Sequence, residues 1–115
     1  MFRALVLDAD DGPQPSASIK DLDDSSLPEG SVTVEIAHST VNYKDGLAVV
    51  RGKPVVRAFP MVPGIDFAGT VSASSHDGIS VGQRVVLNGF GVGEGHWGGF
   101  SQRARVDRKS TRLNS

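Results

Sequence analysis

The sequence predicts a mainly β fold, a compact and partly closed β barrel with one or two short helices. Three observations carry that prediction. Short apolar or alternating runs recur at close spacing with Gly and Pro between them, the pattern of small all-β architectures. Only one segment, Asn42 to Val50, reads convincingly as helix. No internal repeat and no low-complexity linker divides the 115 residues, so a single domain is expected.

Phe2, Leu5, Val6 and Leu7 form an apolar run ending at Asp8, and Asp10-Asp11-Gly12-Pro13 is a strong turn signal, so the chain opens with a strand and a turn. A second strand is expected from Ala17 to Leu22. Leu27-Pro28-Glu29-Gly30 then punctuates before Val32, Val34 and Ile36, which alternate with polar or small neighbours as in a half-buried strand. Asn42 to Val50 lacks that alternation and begins Asn-x-x-Asp. An Asn cap accepts a hydrogen bond from a free helical N–H, and an acid in the first turn favours the positive helix end. Pro54, Pro60 and Pro63 favour an extended loop, since each removes a donor and restrains its predecessor. Phe67 to Ala73, Arg84 to Leu87 and Phe100 to Val106 read as the remaining strands.

The composition, 38% hydrophobic and 22% charged with a formal charge of −1, is that of a soluble globular protein and implies no nucleic-acid partner. No apolar run approaches the roughly 18–20 residues of a membrane span, and Met1-Phe2-Arg3 lacks the order of a signal peptide. A cytoplasmic location, without membrane association, is therefore expected. The absence of Cys excludes a disulfide scaffold and a thiolate zinc site. Residues 107–115, D-R-K-S-T-R-L-N-S, are polar and unpatterned, and they match the in-frame translation of a common short-read sequencing adapter. The sequence is thus expected to stop being the natural one after Val106, the alternative being a solvated basic tail. Because this tail carries three cations and one anion, residues 1–106 alone have a formal charge of −3.

Three segments contain residues suited to chemistry: V-N-Y-K-D at Val41 to Asp45, P-G-I-D-F-A-G at Pro63 to Gly69, and G-V-G-E-G-H-W-G-G at Gly91 to Gly99. In the first, Asn42 and Asp45 suit a helix cap, Tyr43 reads structurally as a partly buried ring whose hydroxyl needs a partner, and Lys44 reads as a solvated cation or a phosphate contact. In the second, the glycines and proline are backbone choices and Phe67 is core. The region from Gly89 to Gly99 holds six of the 14 glycines. It is not a dinucleotide fingerprint, because Gly98-Gly99 and another strand follow where a helix would be needed. A mobile loop over a cleft is expected instead. His96 has no partner at metal-ligand spacing, and His38 and His76 show no pattern.

These segments, with L-P-E-G at Leu27 to Gly30 and F-P-M-V-P-G-I-D-F-A-G-T-V at Phe59 to Val71, resemble the acrylyl-CoA reductase (YhdH-like) group of quinone oxidoreductase-like proteins in the medium-chain dehydrogenase/reductase superfamily. The zinc alcohol dehydrogenases of that superfamily carry V-C-H-x-D and G-H-E, with the Cys and His binding zinc. Here Asn42 and Ile65 stand at those positions, so the resemblance is to the zinc-free branch, with no metal ligands. The resemblance implies that residues 1–106 are a GroES-like catalytic domain and that a Rossmann domain is missing. It implies reduction of an α,β-unsaturated acyl thioester such as acryloyl-CoA with NADPH, or of a quinone, by a full-length homodimer. Asn42 and Tyr43 are implied as catalytic and cofactor-contacting residues, with Val86 packing near the cofactor. Gly93, His96 and Trp97 fall in an implied substrate loop, where Trp97 either anchors the loop or touches an acyl chain. Asp66 stands where the zinc enzymes carry the Glu beside their ligand, and a hydrogen-bonding role in shaping the cleft is implied. The fragment alone is expected to be inactive. A stand-alone GroES-like module binding a protein partner is the reading of a different class.

Overall fold

The structure is a computed structural model that describes residues 1–9, 14–89, 91–107 and 112–113. The expected turn at Asp10 to Pro13 and most of the 107–115 tail lie outside the described residues. The chain is mainly β, as expected, with one α-helix and one 3₁₀ turn, Asp24–Ser26, among those residues.

β1 (Phe2–Asp8) pairs antiparallel with β2 (Ser16–Leu22), Phe2 opposite Leu22 and Asp8 opposite Ser16. Phe2, Ala4 and Val6 share one face and are buried, as the period of two requires. β2 is an exposed edge, on which Ile19 faces solvent. The other strands, β3 (Val32–His38), β4 (Asp66–Ser74), β5 (Arg84–Asn88), β6 (Arg103–Val106) and β7 (Arg112–Leu113), form an antiparallel sheet in the order β6-β3-β4-β5-β7. Val34 at its centre lies opposite Val71 on one side and Ala104 on the other. Arg103 clamps β6 to β3 through Glu35 at 2.6 and 2.7 Å and also reaches Asp24. Its hydrogen bonds to Glu35, reinforced by Asp24, hold the guanidinium pKa above its usual value.

Among the described residues the strands do not close into one continuous ring. The two sheets are joined instead by irregular chain. Leu7 and Met61 exchange backbone hydrogen bonds of 2.7 and 2.9 Å, and the segment before β6 is shared: Leu5 N donates to Phe100 O and Ile36 N to Gln102 O, each at 2.9 Å. That sharing shortens the last expected strand, which begins at Arg103 rather than Phe100, because residues 100–102 cross from β1 to β3. Three apolar clusters result. The largest, around Val34, Phe67, Val71 and Leu87, lies against the five-stranded sheet, and Trp97 packs on both smaller ones, around Phe2 and around Leu7. No helix among the described residues is long and apolar enough to cross a membrane.

Two glycines in this framework are expected to respond to Ala in opposite directions. A Cβ on Gly69, buried in β4, would lie 2.1 Å from Glu35 O, whereas one on Gly46, in the helix, meets nothing within 4 Å. Gly69→Ala is expected to destabilise by about 1–3 kcal/mol or more. Gly46→Ala should stabilise by about 0.5–1 kcal/mol, since Ala loses less backbone entropy in a helix. Urea unfolding of the two variants measures both.

Candidate active-site wall

The site is built on α1 (Tyr43–Arg51), whose first turn is set by its cap. Asn42 is extended, at φ −117° and ψ 162°, and its N–H donates to Asp45 Oδ2 at 2.9 Å. Asp45 faces inward with Ala48, three residues on, so the helix buries one stripe. The other oxygen of Asp45 accepts from Ile65 N at 3.0 Å. This carboxylate is 1% exposed, and among the described residues its hydrogen-bond partners are N–H donors rather than a cation. The hydrogen bonds and the positive helix end together offset its burial. The consequence is spatial: Val41 to Asp45 is drawn against Pro63 to Asp66.

Asp66 extends the network. It accepts from the Thr40 hydroxyl at 2.7 Å and from Thr40 N at 3.3 Å. The Asn42 amide nitrogen lies 3.1 Å from Thr40 Oγ1, 3.1 Å from Asp45 Oδ2 and 3.4 Å from Asp66 Oδ2. With three acceptors around one NH₂ group, the orientation of Asn42 is determined. Asp66 thus makes hydrogen bonds to both Thr40 and Asn42. At the two positions that the resemblance aligns with zinc ligands, Asn42 has an amide already engaged and Ile65 a hydrocarbon.

Beside this network is a recess of about 150 Å³ lined by His38, Thr40, Asp66, Phe67, Ala68 and Val86, among others. Val86 is half-buried on β5, opposite Ala68 of β4, so pairing register places it there. Asn42 and Val86 are therefore brought together through Thr40 and Asp66. Two further recesses, of about 400 and 200 Å³, also border His38, which is exposed. Sequence reasoning missed His38 and Thr40, because neither residue type nor spacing marks them.

Tyr43 departs from the partly buried ring that the structural reading anticipates. It is 83% exposed, and its hydroxyl has no hydrogen-bond partner among the described residues. Helix geometry explains this. At about 100° per residue, Tyr43 lies roughly 200° around the axis from the inward Asp45. Lys44 is not simply solvated: its Nζ pairs with Glu94 Oε1 at 2.7 Å.

The Gly91 to Gly99 segment, expected to be a mobile loop, is tied down. Gly98 N donates to Val62 O at 2.7 Å, Gly99 N to Gly64 O at 3.0 Å and Gly93 N to His96 O at 2.7 Å. A Cβ on Gly98 would come within 2.1 Å of Gly64 O, and one on Gly93, at φ +80°, within 2.7 Å of Gly64. These glycines serve close backbone approach. His96 Nε2 lies 2.7 Å from Arg105 O, which requires the proton on that nitrogen, because a carbonyl only accepts. Trp97 donates to Pro60 O at 3.0 Å, so the ring anchors the segment. Of the expected substrate-side residues, Gly93, His96 and Trp97 are all engaged within the fold.

Asp45→Ala would leave the Asn42 and Ile65 N–H groups without their acceptor. A loss of about 2–3 kcal/mol is expected by urea unfolding, with Asp45→Asn, which retains one acceptor oxygen, losing less.

The profile of the alcohol dehydrogenase GroES-like domain matches residues 28–112. An acrylyl-CoA reductase from Ruegeria pomeroyi is 53% identical over 107 residues, covering 92% of this chain and 32% of that protein. A putative quinone oxidoreductase, YhfP, from Bacillus subtilis is 37% identical over 108 residues, with 92% and 32% covered. The crystal structure of the YhdH oxidoreductase from Salmonella enterica in complex with NADP superposes with a TM-score of 0.91 at 49% identity, covering 96% of this chain and 34% of that one. The chain therefore spans about a third of the length of these relatives. With the matched region extending over most of its length, the chain belongs to the alcohol dehydrogenase GroES-like domain family.

Proposed function

We propose that this chain forms the substrate-side wall of an NADPH-dependent, zinc-independent reductase, and that the whole protein reduces the C=C bond of an α,β-unsaturated acyl thioester such as acryloyl-CoA. The observation that carries the reading is the joining of Asn42 to Asp66, which lines the Val86 recess, and of the neighbouring Lys44 to Glu94 in the Gly91 to Gly99 segment, on a domain 53% identical to an acrylyl-CoA reductase. When bound, NADPH would supply the hydride for a new C–H bond at the β-carbon, and a proton would complete the α-carbon as the double bond became single. The residues of this chain supply placement. Asn42, oriented by Thr40, Asp45 and Asp66, and Tyr43, whose hydroxyl is unpartnered, are assigned to positioning the nicotinamide and the thioester carbonyl. Val86 supplies an apolar contact beside the cofactor, and Gly93, His96 and Trp97 build the substrate-side edge. Zinc independence rests on the donor set, since an engaged amide and an alkyl group do not fit a catalytic zinc. A cytoplasmic homodimer acting on a small molecule, with neither nucleic acid nor membrane as partner, completes the proposal. Quinone reduction is the second reading, favoured by the 37% identity to the putative quinone oxidoreductase.

Residues 107–115 are proposed to be foreign to the natural protein. Two of them, Arg112 and Leu113, pair with β5, a contact that extended chain makes readily with an open sheet edge. Resequencing the source DNA is expected to show different codons after Val106, leading into a Gly-rich strand-to-helix motif; the same tail followed by a stop would refute both expectations. For the completed protein, NADPH oxidation should proceed with acryloyl-CoA at a kcat/KM about tenfold or more above that for quinones, assayed side by side. The reverse order would select the quinone reading.

A further inference from the structure

Of the four residues Asn42 to Asp45, three have tethered side chains. Asn42 is held by Thr40 and Asp66, Asp45 by Ile65, and Lys44 by Glu94. Tyr43 alone has no side-chain partner among the described residues, so its position is inherited from its neighbours. The Asn42 and Asp45 tethers both lead toward residues 65 and 66. Taken alone, they leave the start of α1 free to pivot about that side. Lys44 provides the fixed point on the other side, since Glu94 belongs to the pinned glycine segment. The backbone of Glu94 is itself anchored, its N–H to Gly91 O at 3.1 Å and its carbonyl accepting from Arg57 N at 2.9 Å. The Glu94 side chain is 17% exposed and that of Lys44 52%, so the inner partner of the pair is the acid.

We propose that Glu94 is a positioning residue, acting through Lys44 to fix the turn that presents Asn42 and Tyr43. This rests on the reductase reading above. Partly exposed ion pairs contribute little to global stability, so the effect is expected in the placement of the turn rather than in folding. Placement errors of about an ångström are enough to slow an oriented reaction severely.

The experiment compares the full-length reductase with Glu94→Gln, Lys44→Glu and the exchanged pair Lys44→Glu/Glu94→Lys. Each single change is expected to lower kcat about tenfold while KM for NADPH moves less than about twofold and Tm stays close to the native value. The exchanged pair should recover kcat to within about threefold of native. Unchanged kcat in Glu94→Gln, or no recovery on exchange at native Tm, would overturn the proposal. Native-state amide exchange on the same variants reads the clasp without turnover. The Gly46 N–H, which donates to Asn42 O at 3.2 Å, should exchange about fivefold faster in Glu94→Gln. Equal protection would overturn the clasp even if the enzyme is active. If the native enzyme does not reduce acryloyl-CoA but the exchange difference is present, the substrate reading fails and the clasp stands.

Discussion

A buried carboxylate engaged by N–H donors holds the two halves of this site together. An ionised Asp in an apolar interior is very costly unless its oxygens are engaged. Asp45 meets that requirement with the N–H groups of Asn42 and Ile65, the Asn42 amide and the positive end of its own helix. Its position follows from the donors, and the donors come from two segments separated by a long proline-containing loop. That loop is consequently closed at its base. The direction in which α1 leaves β3, the orientation of the Asn42 amide and the approach of Thr40 to Asp66 all depend on that closure.

The glycine segment imposes a second constraint of a different kind. Its backbone lies so close to Gly64 that no side chain fits between them. Such contact lets Gly98, Gly99 and Phe100 donate directly to Val62, Gly64 and Pro63, and it seats Trp97 between the two smaller apolar clusters. Rigidity here comes from glycine. The absence of a Cβ brings backbone to backbone, and hydrogen bonds then remove the freedom that glycine would otherwise confer. The start of α1 and the glycine segment are thereby parts of one framework, with the Lys44 to Glu94 pair crossing between them.

The strands were legible because alternation is local. Val32, Val34 and Ile36 announce β3, and Asn42 with Asp45 announces the cap of α1, since each signal lies within a few residues of its effect. The start of the last expected strand was less legible. Whether residues 100–102 pair with β6's neighbour or with β1 is decided by which backbone is nearby, and both are. Likewise, nothing local to Tyr43 states that its ring faces outward; that follows once Asp45 and Ala48 face in.

The sequence by itself determined the fold class, the helix cap and the family resemblance, because these depend on residue type and short spacing. Tertiary structure alone decided that the glycine segment is pinned, that Trp97 is an anchor, that His38 borders three recesses and that Lys44 meets Glu94. Each of these is a contact between residues far apart in the chain. Composition states what a side chain or a missing Cβ permits, whereas only packing states what stands opposite it.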